Sequence, residues 1–513
     1  MNLKKVSDKT VCELVGKKLF FIRFFRDYIK DVYGRFPELS VSDLAGIFEP
    51  DVSKQGTYEV EGHSVQVMGF DKLKEMPADS VLLITTGYYR GEYEDLLTLG
   101  VPKAAGDTIY YFANKDTEYY EEYLEKNKDQ PLEDMIVFRS GMGTWEHIPG
   151  MDFTENARAL FEYLQREGYG DRYEMVWLVK EPQEFAFAAG KYKNVSFLSY
   201  DWAVSEDKEL RDKYYRAICL AKYFFFTHAC GFCRLPRQGQ VRVQLWHGCG
   251  FKTVKNSTSQ RHYYEYTTVV SQKYAEIHEV EFGLDKEQLL VTGYAKEDWL
   301  FHPAEGWKDR LGVPGGTKYI FWLPTFRQAK DVVSYMDPKR RESGIGLPII
   351  ESHHQLEMLN NVLGEKDTVL IVKLHPLQKD MGLKELNMSN ICFLSNEELS
   401  DEGLHINEIL GDADGLVSDY SSAAVDFLLM DRPIGFTLDD LEEYRESRGF
   451  VLNPIEDWIP GEKITCFEEF ISFITSVCNG EDRSSETRRR IASKLHDFSD
   501  DKSCERIAKA LRL

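Results

Sequence analysis

Two histidines stand directly after apolar runs: His247-Gly248 follows VRVQLW, and His375-Pro376 follows VLIVKL. In each case the next residue, Gly or Pro, is one that ends a strand. Histidine titrates near neutrality, so at a strand end it is suited to take a proton from a hydroxyl. Donors suited to an anion occupy comparable places. They are Lys252, the run Leu323-Pro324-Thr325-Phe326-Arg327, Lys373, and the hydroxyl-rich turn Ser418-Asp419-Tyr420-Ser421-Ser422. Alone, a strand-end histidine is more often structural, and a serine before a helix is more often a cap. Together these residues describe a site that deprotonates a hydroxyl while fixed donors hold a phosphoryl group.

The elements that position them are strands and helices in alternation. Gly415-Leu416-Val417 reads as a buried strand, the DYSS turn follows, and Ala423 to Met430 has helical composition. Strand, polar turn, helix is how α/β proteins present backbone N–H groups to an anion. Residues 131–311 read as one α/β lobe, with helices over 156–167 and 207–221 and strands over 173–179, 223–227 and 241–246. Residues 312–513 read as a second, with strands over 319–323, 369–374, 415–417 and 433–436, then basic amphipathic helices from Thr487 and over 503–511. The expected fold is therefore a pair of Rossmann-like lobes with a cleft between them. His247 stands on one side, and Arg327, His375 and the DYSS turn on the other. Residues 1–130 read as an extra Rossmann-like module, with strands over 18–22, 41–48, 65–67, 80–85 and 109–112. After its first strand stands FIRFFRD in place of a Gly-rich loop, and those bulky side chains exclude a pyrophosphate.

The net charge of -22 argues against a nucleic-acid partner, which needs clustered Lys and Arg. No run approaches the roughly 18 apolar residues of a membrane span. The start, MNLKKVSDKTVCELVGKK, has no apolar core or cleavage site of a signal peptide. Nine scattered cysteines fit reduced thiols, and Cys230-Gly-Phe-Cys233 beside His228 reads as buried thiols, because no second such pair exists. A cytoplasmic protein is expected. No clustered carboxylates stand out as a Mg²⁺ site, so neither a metal nor a cofactor is expected.

WHG with Lys252, Gly293-Tyr294 with Asp298, LPTFR, KLHP, DYSS with Asp426, Tyr444 with Arg448-Gly449, and Pro460-Gly461 occur in one order. In this the chain resembles, from about Arg139 onward, the CDP-glycerol glycerophosphotransferases that build teichoic acids and related bacterial glycans. The resemblance implies a glycosyltransferase-B-like fold, a CDP-glycerol or CDP-ribitol donor, and transfer of the polyol phosphate to a glycan or lipid-linked glycan with release of CMP. It implies that His247 and His375 are the catalytic pair, one the base and the other at the pyrophosphate or leaving group. Gly248, Lys252, Thr325, Arg327, Lys373, Asp419, Ser421, Ser422 and Arg448 are the expected substrate contacts. A lipid-linked acceptor implies peripheral contact with the inner face of the plasma membrane. Two departures bear on the donor: Cys249-Gly250-Phe251 replaces the family's usual Thr-Pro-Leu, and Gly293 to Asp298 reads GYAKED, with Lys296 in place of an arginine. Lysine keeps the charge but loses bidentate phosphate geometry. The alternatives are a nucleotide-sugar glycosyltransferase or epimerase of the same fold, and a catalytically silent scaffold in glycan assembly.

Overall fold

The structure is a computed structural model that describes residues 1–513 except Phe25, 51–53, Ala78, 102–106, 142–151, 229–231, 254–259, 325–344 and 375–381. Three sheets follow one another along the chain, of seven, seven and six strands among the described residues. The fold is α/β throughout, two Rossmann-like lobes preceded by a third Rossmann-like unit.

Apolar, β-branched and aromatic runs account for the strands: KLFFI (Lys18–Ile22), EMVWLV (Glu174–Val179) and TVLIVK (Thr368–Lys373) are buried almost throughout. The sheets of the two lobes are entirely parallel. The first sheet carries one antiparallel edge strand, Gly56–Val60, paired with His63–Met68.

In the middle sheet the order reverses between Glu133–Arg139 and Ala221–Phe226, which lie side by side. In the third it reverses between Lys318–Trp322 and Gly415–Ser418. Such reversals splay the connections apart and leave a crevice beyond the carboxyl ends of the strands. Both crevices matter below, because the segments leaving these strands carry the polar motifs.

The lobes are joined by more than a linker. One apolar cluster runs from Phe251, Tyr274, Tyr294 and Trp307 on the middle side to Phe321, Tyr420 and Phe427 on the other. A second joins the first sheet (Ile22, Phe48, Ile84) to the middle one (Val137, Phe224, Phe226). The chain also crosses back at its end. Helix Ser503–Leu511, expected in the lobe that starts at residue 312, packs Cys504, Ile507, Ala508 and Leu511 into the core of the middle sheet. Its apolar positions recur at helical spacing, and they need a face to cover. Asp298 accepts from the backbone N–H of Ser503 at 2.8 Å and of Cys504 at 2.9 Å, which caps that helix.

Between the lobes lies a buried ion cluster. The Lys296 ammonium sits 3.1 Å from Glu155 and 3.6 Å from Asp426, and donates to the His247 carbonyl at 2.8 Å. Lys296 is 5% exposed and Asp426 1%. Removing one member of a buried pair leaves the other unsolvated. Lys296→Met should therefore cost about 3 kcal/mol or more, read as a lower midpoint in thermal or urea unfolding. Adding Asp426→Asn should recover part of that loss. A loss below about 1 kcal/mol would mean that the cluster is solvated and weak.

Candidate functional site

His247 leaves the strand Val241–Gln244 through Trp246, which holds a left-handed φ of 58°. Bulky residues rarely adopt that conformation, and they keep it only where the surroundings compel it. Here the Asn156 carboxamide donates to the Trp246 carbonyl at 2.8 Å, and the Trp246 N–H donates to the Gln244 side chain at 3.0 Å. With the His247 carbonyl accepting from Lys296, the turn sets the His247 ring against Trp246 and His228. Burial lowers its pKa from the usual 6.5 to about 3, with His228, Lys296 and His278 adding repulsion and Glu155 opposing. The imidazole is thus neutral at physiological pH, the state in which it can accept a proton.

Gly248 follows with φ 143°, and a Cβ there would lie 2.5 Å from the Ser422 hydroxyl. At Gly250 a Cβ would lie 3.3 Å from the Ser422 backbone nitrogen, a tight but lesser approach. Glycine is needed here for close approach, because the loop of one lobe lies against the DYSS turn of the other. Ser421 caps the helix Ser422–Phe427, its hydroxyl accepting from the Ala423 N–H at 3.4 Å. That helix is shorter than the expected 423–430, since Leu428–Met430 tightens into a 3₁₀ turn. Charge at its N-terminus therefore comes from local N–H and hydroxyl groups more than from a long dipole. Asp419 is fully buried beneath the turn, while Ser421 and Ser422 are half-buried at the seam.

Lys373 ends its strand half-buried, and its ammonium makes no ion pair among the described residues. Burial lowers its pKa from 10.5 to about 8, with Glu155 opposing. A desolvated cation without a paired carboxylate is a natural anion ligand. Lys252 and Arg448 lie together further along the seam. Lys252 bridges Phe450 through the backbone and places its ammonium 5.7 Å from the Tyr444 ring. Arg448 donates to the Thr253 carbonyl at 3.1 Å. Both contacts tie residues 251–253 to 449–451, so at these two positions the visible chemistry is lobe joining. His375, Thr325 and Arg327 lie outside the described residues.

Several polar groups at the seam carry no weight in a reading of motifs. Glu155 opens helix Glu155–Arg166 with φ 57°, a second strained residue beside the Trp246 turn. Burial raises its pKa, but Lys296 and His405 outweigh that, and it stays ionised. His405 Nδ1 accepts from the Asn407 N–H at 3.1 Å, which leaves Nε2 to face Glu155 at 3.3 Å as a donor. Asn407 also approaches Asp426 at 3.5 Å. Glu297 is buried, with one carboxylate oxygen lacking a hydrogen bond, and burial together with Asp426 raises its pKa. Lys296, expected from its motif to face phosphate, is instead held between carboxylates. His228 stacks on His247. A histidine at the end of YFFFT was the one signal for it, and the neighbouring CxxC drew the attention.

Among the described residues no group of three or more His, Cys, Asp or Glu is arranged to hold a metal ion. In the same residues no helix is long and apolar enough to cross a membrane.

The loop that follows the strand-end His247 of one lobe thus meets the DYSS turn of the other at Ser422. The wall teichoic acid polymerase TagF has the same fold: its solved structure matches at TM-score 0.58 and 20% identity, over 83% of this chain and 97% of that one. Curated relatives include the teichoic acid poly(glycerol phosphate) polymerase of Staphylococcus epidermidis, 24% identical over 66% of this chain and 46% of its own length. The teichoic acid ribitol-phosphate polymerase TarK of Staphylococcus aureus is 26% identical over 60% of each. The teichoic acid glycerol-phosphate primase of Bacillus subtilis is 27% identical over 64% of this chain and 83% of its own length. The chain thus spans about half to three-fifths of the first two of these relatives. The sequence profile of the CDP-glycerol:poly(glycerophosphate) glycerophosphotransferases matches residues 134–513, and the chain belongs to that family.

Proposed function

We propose that the protein transfers glycerol phosphate, or another polyol phosphate such as ribitol phosphate, from its CDP ester to a hydroxyl of a bacterial glycan or lipid-linked glycan. The observation that carries this reading is the close approach of the Gly248-Gly250 loop, which follows His247, to Ser422 of the DYSS turn, in a chain of this family. Relatives named for glycerol phosphate and for ribitol phosphate support the donor class, and a TagF variant has been soaked with CDPG.

In this proposal His247 takes the proton of the acceptor hydroxyl as its oxygen attacks the β-phosphorus. The new O–P bond forms as the bond from that phosphorus to the bridging oxygen breaks, and CMP leaves with that oxygen. Lys373, Arg327 and the Ser421-Ser422 turn hold the charge that builds on the phosphoryl oxygens and on CMP. His375 stands by the leaving group. A lipid-linked acceptor would bring the protein to the inner face of the plasma membrane.

CMP release from CDP-glycerol or CDP-ribitol with a glycan acceptor tests the reading. His247→Ala and His375→Ala should each lower kcat by about 10²- to 10⁴-fold, the contribution of a general acid or base. Release by the unsubstituted chain no faster than by His375→Ala would sink the proposal. Ser421→Ala with Ser422→Ala should raise the KM for donor by at least about tenfold, roughly 1.4 kcal/mol, with less than about 1 kcal/mol lost in unfolding. Equal losses in both would return the serines to capping alone.

Lys373 supplies a pH test. Its cation is the binding form, and burial has lowered its pKa to about 8. The protein should therefore lose kcat/KM as pH rises through about 8, as the free enzyme sheds that proton. Bound phosphate favours the cation, so the limb in kcat should lie at higher pH. Lys373→Arg stays charged throughout this range and should abolish the limb. An unchanged alkaline limb in that variant would assign it to another group.

A further inference from the structure

A histidine base is ordinarily held by a hydrogen bond to its second ring nitrogen, which fixes both tautomer and direction. Among the described residues His247 has no such bond. Its Nδ1 is buried and unpartnered among the described residues. Its ring is held by faces instead: Trp246 lies 4.2 Å away, tilted by 35°, and His228 lies 4.9 Å away, nearly parallel at 7°. Trp246 is the adjacent residue in the strained turn and moves with His247. His228 comes from a different strand end.

His228 is itself anchored on both sides. Its Nδ1 lies 3.0 Å from the Ser140 carbonyl, so that nitrogen carries the proton and donates. Ser140 follows Glu133–Arg139 and His228 follows Ala221–Phe226, so this bond spans the crevice where the sheet order reverses. Gln244 ties the two histidine turns together. Its amide donates to the His228 carbonyl at 2.6 Å, and its oxygen accepts from the Trp246 N–H at 3.0 Å. Such a bridge fixes the spacing of the two rings through the backbone.

We propose that His228 is a positioning residue for His247, its ring face doing the orienting that a hydrogen-bonded carboxylate or carbonyl does elsewhere. The proposal rests on the phosphotransfer reading above. The stack keeps water from one face of His247 and holds its free edge toward the seam. Neutrality of His228 follows from its surroundings: burial lowers its pKa, and Glu155 opposes this less strongly. The other charged or titratable groups facing His247 are Glu155, Lys296 and His278. None of them stacks in parallel on its ring.

The test uses the full chain with His228→Ala, which removes the ring, and His228→Phe, which keeps a face but loses the anchor to Ser140. Two readouts are followed: CMP release from pH 5 to 8, and the titration of His247 from pH 8 down to the acid limit of folding by NMR of labelled histidine, assigned through loss of its signal in His247→Gln. In His228→Ala, kcat should fall about tenfold or more, with the KM for donor nearly unchanged, part of the 10²- to 10⁴-fold worth of a base. The His247 midpoint should rise toward the unperturbed value of about 6.5 as water reaches the ring. His228→Phe should recover most of kcat and keep the low midpoint. The proposal is overturned if His228→Ala leaves both kcat and midpoint unmoved, or if His228→Phe is no better than Ala on both readouts. Absence of CMP release by the native chain would sink the functional reading, while the midpoints would still report whether His228 governs His247.

Discussion

The Lys296 ammonium, held between Glu155 and Asp426, is the interaction on which the seam depends. Its carboxylate partners come from different lobes, Glu155 from the helix that opens the middle one and Asp426 from the helix behind the DYSS turn. A buried cation and a buried carboxylate each carry a desolvation cost that only the partner offsets. Neither lobe can therefore withdraw without exposing or orphaning a charge. Burial by itself would push the Lys296 pKa down, yet Glu155 and Asp426 together raise it, so the ammonium stays charged. Its third contact, to the His247 carbonyl, links this cluster directly to the WHG turn. The same ion that fixes the lobes thus fixes the backbone at His247.

Around that cation the chemistry divides by desolvation. Glu155 is ionised because Lys296 and His405 face it, whereas burial, with Asp426 nearby, raises the Glu297 pKa well above the usual carboxylate range. His247 and His278 are neutral for want of water and of a paired carboxylate. Burial and the neighbouring Lys296 and histidines thus keep the His247 imidazole unprotonated near pH 7. Two residues accept left-handed backbone to build it, Glu155 and Trp246, and Asn156 joins them, donating to the Trp246 carbonyl and accepting from the Lys296 N–H. Local strain is sustained where several bonds over-determine it.

How much of this was legible in the sequence depends on how local each feature is. Strands such as Lys18–Ile22, Glu174–Val179 and Thr368–Lys373 announce themselves by continuous apolar runs, as does helix Glu155–Arg166 by its 3.6-residue period. Edge strands did not. Asn2–Lys5, Val195–Ser199 and Leu289–Val291 are short and half-buried, so none carries a long continuous apolar run. Gly248 and the DYSS turn could be found because chemistry at strand ends uses contiguous residues. Glu155, His405 and Asn407 could not, since each is one polar residue on an ordinary element, and only the closing of two lobes gives it a partner. Lys296 was visible as a motif residue but misread, because a motif reports that a cation is needed without reporting which anion it meets. Helix Ser503–Leu511 shows the same limit at larger scale: its amphipathic period is plain, but the core it covers belongs to a sheet more than two hundred residues earlier.

The three sheets pose one question three times, namely what fills the crevice where strand order reverses. In the first sheet the reversal lies between Lys18–Ile22 and Ser80–Ile84, and Arg23 occupies it with a left-handed φ of 75°. Its guanidinium pairs with Glu92 at 2.7 Å and Glu49 at 3.6 Å and reaches Tyr263 of the middle lobe at 3.5 Å. A cation already paired with two carboxylates has little left to offer a phosphate. In the middle sheet the Ser140–His228 bond closes the crevice and presents an imidazole face. In the third, Leu323 and the DYSS turn flank it, and the Ser418 hydroxyl joins them at 3.5 Å. The strands and their reversal are the same device throughout. What separates the three crevices is the two or three residues that follow each strand, and whether their charges are already spent on one another.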